Sequence, residues 1–96
     1  MNKVDEKLTD FKIISFNQEI KSGSKLNELT FEKSKNALKY IVYVYNSNNK
    51  LIKEVETKET SIVLSDLNVA YNDEITIKVQ AVDKNKNKLK YKYIIY

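Results

Sequence analysis

Apolar and polar residues alternate with a period of two along much of this chain, the signature of strands with one buried face. The alternation is densest in Tyr40-Ile41-Val42-Tyr43-Val44-Tyr45, whose β-branched and aromatic side chains suit a pleated surface better than a helix. It stops at Asn46-Ser47-Asn48-Asn49, residues that tolerate turn conformations and bond to local backbone. Leu51 to Glu56 follows, so the two runs predict a hairpin. Ser61 to Ser65 is a short strand with Ile62 and Leu64 on one face, and a loop from Asp66 to Asp73 carries Leu67 and Tyr71. Ile75 to Val82 alternates strictly, with Ile75, Ile77, Val79 and Ala81 inward and Thr76, Lys78 and Gln80 outward. After the polar turn Asp83 to Lys88, the run Leu89 to Tyr96 places Leu89, Tyr91, Tyr93 and Ile95 on one face.

The first third is fainter. Phe11 to Phe16 reads as a first strand, Lys21 to Lys25 as a loop around the single glycine, and Leu29-Thr30-Phe31 as a second strand. Lys33 to Leu38 is polar and loop-like. The alternative is a helix over Leu26 to Tyr40, but a helical face through Leu26, Leu29 and Lys33 leaves Phe31 and Ala37 off it, so the fit is poor. About seven short strands with turn signals every 8–12 residues describe an all-β, immunoglobulin-like sandwich. Phe31, Tyr40, Val42, Ile62, Leu64, Leu67, Ile77 and Val79 are its expected core. The division is a charged leader or linker over residues 1–10 and a single β-sandwich domain over residues 11–96.

From about Glu28 to Ile95 the pattern resembles a fibronectin type III domain. Phe31 stands where that family has a buried aromatic at the end of strand B. Tyr40-Ile41-Val42-Tyr43-Val44 is similar to its strand C, Ile62, Leu64 and Leu67 to its strand E and following loop, and Ile75 to Ala81 to its strand F. Ile75 occupies the position of the strand F tyrosine, and Tyr71 is the alternative anchor for that loop. The resemblance implies a fibronectin type III-like sandwich with sheets A-B-E and C'-C-F-G. It implies no chemistry, because the fold hosts many functions.

Composition narrows the chemistry. A chain of 96 residues with 42% hydrophobic and 31% charged positions has the size and make-up of one globular domain. It contains no His, Cys, Trp or Pro, and all 17 basic residues are Lys. An AT-rich, bacterial coding bias accounts for that spectrum better than any physical requirement. Without His or Cys, imidazole bases, thiol nucleophiles and Ser-His triads are excluded, and one glycine cannot build a phosphate-cradling loop. The expectation is therefore a protein that is not an enzyme, with no catalytic residues, no metal and no cofactor. Asp66, Asp73, Glu74 and Asp83 are the carboxylates near loops that oxygen-ligand Ca²⁺ binding would require. Their spacing follows no calcium loop, and turn or capping roles are the simpler reading.

Two surface features are singled out. Successive loops of a sandwich alternate ends, which brings Lys33, Lys35, Lys58, Lys84, Lys86 and Lys88 to one basic pole, partly offset by Glu59 and Asp83. With a net charge of +4, that pole is either a weak polyanion site or plain solvated loop. Lacking arginine, the bidentate reader of guanine, it does not suit specific nucleic acid. Ile41, Tyr43 and Tyr45 alternate with the core residues of their strand and form the second feature, an outward contact patch for protein or sugar rings, unless Lys78, Lys90 and Lys92 cover it. No run approaches a membrane span, and residues 1–10 hold no signal-peptide core. These features point to a non-catalytic interaction or spacer module within a longer bacterial surface or secreted protein. Its partners are then neighbouring domains or another protein, with no membrane insertion. The alternatives are a polysaccharide-binding module using outward tyrosines and a small cytoplasmic polyanion-binding protein.

Overall fold

The computed structural model of the chain describes residues 8–21, 24–64, 67, 74–88 and 92–95. Among them there are seven strands and no helix: β1 (Ile13–Lys21), β2 (Ser24–Phe31), β3 (Lys39–Tyr45), β4 (Leu51–Thr57), β5 (Ser61–Leu64), β6 (Thr76–Val82) and β7 (Lys92–Ile95). All pairings are antiparallel. One sheet runs β1-β2-β5 and the other β4-β3-β6-β7, so β4 is an edge strand with β3 as its neighbour.

The two sheets share one core. Phe16, Leu29, Phe31 and Leu64 enter it from the three-stranded sheet, and Tyr40, Val42, Val44, Ile77, Val79 and Ala81 from the other. Phe11, Leu67 and Ile75 complete the buried set, with Ile62 and Val55 packed at its margin. Each fully buried apolar side chain contributes about 1.5–3 kcal/mol relative to exposure, which is how a domain of this size holds together without disulfides.

A bulge in β1 reconciles a conflict in the sequence. Ile13 pairs with Phe31 but Ser15 with Thr30, so Ile14 is the extra residue. Strict alternation would put Ile13 and Phe16 on opposite faces. The bulge lets both reach the core and turns Ile14 outward, where it is 58% exposed. A second shift, where Val44 pairs with Lys53 but Tyr45 with Leu51, makes Ile52 the extra residue of β4.

The first hairpin is longer than its sequence suggests. The pairing of β1 with β2 continues to Lys21 opposite Ser24, so residues expected in a loop are strand. Much of this extension, Asn17, Gln18, Glu19 and Lys25, is polar, and a backbone ladder forms without any apolar alternation to announce it. Leu26 and Leu29, the start of the alternative helix, both lie in β2.

Register fixes two poles. Lys39 pairs with Val82 and Tyr40 with Thr57, so the β2–β3 loop, the β4–β5 link and the β6–β7 connection gather at one end. Tyr45 pairs with Thr76, and Thr76 with Ile95, so the β3–β4 turn and the end of β7 lie at the other.

Candidate functional site

The first pole is built on three aromatic rings. Phe31 and Tyr40 meet edge to face with centroids 4.9 Å apart, and Phe11 closes on both at 6.2 and 5.9 Å. Such pairs add about 0.5–1.5 kcal/mol beyond their buried area. The Tyr40 hydroxyl is not wasted in this apolar setting: it accepts the backbone N–H of fully buried Ser34 at 2.9 Å. The rings thereby fix the β2–β3 loop from below.

A strap fixes the same loop from its side. The Thr9 N–H donates to the Lys35 carbonyl, the Lys35 N–H donates to the Thr9 hydroxyl at 2.6 Å, and the Ser34 hydroxyl donates to the Thr9 carbonyl. Leu8 packs against the core beside it. Residues 8–10 of the expected leader thus lie against the domain, while residues 1–7 fall outside the described residues. Phe11, expected as the start of the first strand, precedes it and belongs to this strap. Across the loop, Ala37 N–H donates to the Ser34 carbonyl around Asn36, whose φ is 71°, and Leu38 N–H donates to the Val82 carbonyl at 2.7 Å. That last bond joins the loop to the β6–β7 turn.

Asp83 organises that turn. Only 6% exposed, its Oδ1 accepts the N–H groups of Asn85 and Asn87, both at 2.8 Å, and its Oδ2 accepts the Asn87 side-chain amide at 3.0 Å. Burial alone would raise the carboxyl pKa. The backbone and side-chain bonds from Asn87, the backbone bond from Asn85 and the charge of Lys84 outweigh it and hold the pKa below the usual value. Lys86 takes the left-handed position of the turn, with φ of 67°.

Lys33, Lys35, Lys58, Lys84, Lys86 and Lys88 are all exposed on the three connections that meet here. Several nearby acids are already engaged. Glu32 Oε1 accepts the Lys12 N–H, Glu56 pairs with Lys39 at 3.2 Å, and Asp83 serves its own turn. Between the loop and the turn lies a depression of about 240 Å³ lined by Asn36, Ala37, Leu38, Asp83, Lys84 and Asn85. Leu38, 49% exposed, gives it an apolar surface.

The expected outward patch is narrower than its sequence suggests. Ile41 is only 8% exposed, and Tyr43 and Tyr45 are half-buried. Ile41 does sit in the outer row, opposite Glu56 and Gln80. Alternation decides the side, and neighbours decide the cover: the stems of the Lys39–Glu56 ion pair flank Ile41, and Gln80 beside it is itself buried. Lys78 Nζ lies 4.9 Å from the Tyr45 ring centroid, a cation–π contact over one face of that ring. Side chains of Lys90 and Lys92 lie outside the described residues.

Of the carboxylates weighed for calcium, Asp66 and Asp73 are outside the described residues. Glu74 and Asp83 stand before and after β6, hence at opposite poles. Among the described residues, no group of three or more His, Cys, Asp or Glu is placed to hold a metal ion, and no helix is long and apolar enough to cross a membrane.

The lysines and their convergence were readable from turn spacing. Thr9 and Ser34 were not, since their roles are bonds between residues 25 or 26 apart, and no local pattern marks such a strap. Asp83 carried a local signal, an Asp opening the polar turn Asp83-Lys84-Asn85-Lys86-Asn87. No known family model matches this chain, and no curated protein is similar to it at a significant level.

Proposed function

We propose that this chain is a non-catalytic spacer or interaction module, with an immunoglobulin-like, fibronectin type III-like sandwich, in a longer bacterial surface or secreted protein. The strand orders β1-β2-β5 and β4-β3-β6-β7 support the fold, being the A-B-E and C'-C-F-G orders that the resemblance implies. The observation that carries the function is the placement of the first and last described residues. Thr9 is tied to Lys35 at the basic pole, whereas Ile95 pairs with Thr76 at the other. A module entered at one pole and left at the other adds its length to whatever chain contains it. β1 and β7 are also gripped along antiparallel ladders, so tension along that line shears backbone hydrogen bonds together instead of peeling them singly.

Carbohydrate binding through outward tyrosines is the weaker reading, because Ile41 is covered and Lys78 already lies over Tyr45. Antibodies raised against the domain and applied to fractions of the source cells test the proposal. The expected result is a band much larger than this chain in the surface or secreted fraction. A band of this chain's own size in the cytosol would overturn it.

A further inference from the structure

We infer that the depression between the β2–β3 loop and the β6–β7 turn is a binding site for an acidic polysaccharide. Charge is the first ground. Lys84 lines it, and Lys33, Lys35, Lys58, Lys86 and Lys88 are exposed on the three connections that meet at this pole. These six lysines outnumber the acids Glu32, Glu56, Glu59 and Asp83 there, of which Glu56 is already paired with Lys39. An anionic chain laid across this pole meets ammonium groups on three separate connections, which favours a polymer over a small ion.

The shape of the site is the second ground. Ala37 and half-exposed Leu38 give the depression a small apolar surface, and Asn36, Asn85 and Lys84 line its polar side. A sugar ring presents the same division, with C–H groups on one face and hydroxyls or an acidic group around its edge. The pole offers no exposed aromatic ring among the described residues, and successive bases of single-stranded nucleic acid need such rings to stack on. Lysine also serves sulfate, phosphate or carboxylate as a point charge, without the bidentate readout of a nucleobase.

Rigidity is the third. The Thr9 strap, the Tyr40 hydroxyl, the Leu38–Val82 bond and the Asp83 turn hold both walls in place before anything binds, so little ordering entropy is lost on association.

The test is titration of the whole chain with a heparin-derived hexasaccharide and with oligogalacturonate, against neutral dextran and single-stranded DNA of matched charge, followed by amide chemical shifts. Shifts should concentrate in residues 33–38 and 83–88 with both acidic sugars, and dextran should produce none. Replacing Lys84, Lys86 and Lys88 together by Gln should leave the thermal midpoint in place and weaken the hexasaccharide about tenfold or more at low salt. Leu38→Ser should weaken both acidic sugars several-fold and leave DNA unaffected. Shifts centred on Tyr43 and Tyr45, tighter binding of DNA than of either sugar, or unchanged affinity in both variants would each overturn the proposal.

Discussion

The turns Asn46–Lys50 and Asp83–Asn87 lie at opposite poles and are built alike. In each, the side-chain oxygen of the first residue accepts the N–H groups two and four positions on. The first N–H donates to the fifth carbonyl, the fourth N–H donates to the first carbonyl, and the fourth residue is left-handed, Asn49 at 61° and Lys86 at 67°. This is a three-residue hairpin loop of the type that ordinarily recruits glycine at the left-handed position. A chain with one glycine makes it twice with none, because the Asn or Asp oxygen secures the turn from inside. The two differ in their second side-chain atom. Asp83 adds a bond from the Asn87 amide and carries a charge, and its turn supports the basic pole, whereas the Asn46 turn caps a hairpin in solvent.

The largest effect should come from removing the aromatic support that one pole has beneath its β2–β3 loop. Phe31→Ala should cost about 3–5 kcal/mol by urea denaturation, as large aromatic deletions in cores do. A cost under about 1 kcal/mol would mean that the pole is held by its loop hydrogen bonds. Tyr40→Phe isolates one such bond: it leaves the buried Ser34 N–H without its acceptor and should cost about 1–3 kcal/mol, with the Ser34 amide losing exchange protection.

Asn46→Ala removes two accepted bonds in an exposed turn and should cost about 1–2 kcal/mol. Asp83→Ala should shift the denaturation midpoint further than Asn46→Ala does, and the reverse order would erase the distinction between the turns. Acid should separate them too. The folded Asp83 pKa lies below its unfolded value, so its contribution is complete above the ordinary carboxylate pKa and is lost as pH falls through the lower folded one. The difference in stability between the parent and Asp83→Asn should therefore shrink on acidification, while that between the parent and Asn46→Ala stays constant. The smallest effect is a gain. Lys86→Gly should stabilise by about 0.5–1 kcal/mol, since lysine bears the full left-handed strain. Asn49→Gly should gain less, because asparagine tolerates that region.

What the sequence reveals follows from which interactions are local. β3 and β6 were legible because Val42, Val44, Ile77 and Val79 alternate with polar or aromatic residues and face one core. All eight expected core residues pack in it or against it. The polar arms of the first hairpin were hidden because backbone pairing leaves no mark on side-chain pattern. The basic pole was legible as geometry, since loops of a sandwich must alternate ends. The strap was not, because Thr9 and Ser34 meet only after β1 and β2 have folded back on one another. Ile41 shows the remaining gap: a period of two assigns a face, but the cover on that face depends on neighbours from other strands.

Among the described residues, β4 pairs on one side only, with β3. If a second copy added there through a two-fold axis normal to the sheet, each residue would face one of equal parity, since directly opposed side chains share a face. Pairing centred on Lys53 would set Lys53 against Lys53, and pairing centred on Glu54 would set Glu54 against Glu54. Centred on Val55, it would oppose Glu54 and Glu56 twice over. Like charges directly opposed destabilise a ladder, so the registers that would zip the middle of the strand repel themselves. The Lys-Glu-Val-Glu order of this edge thus disfavours the registers centred on Lys53, Glu54 and Val55.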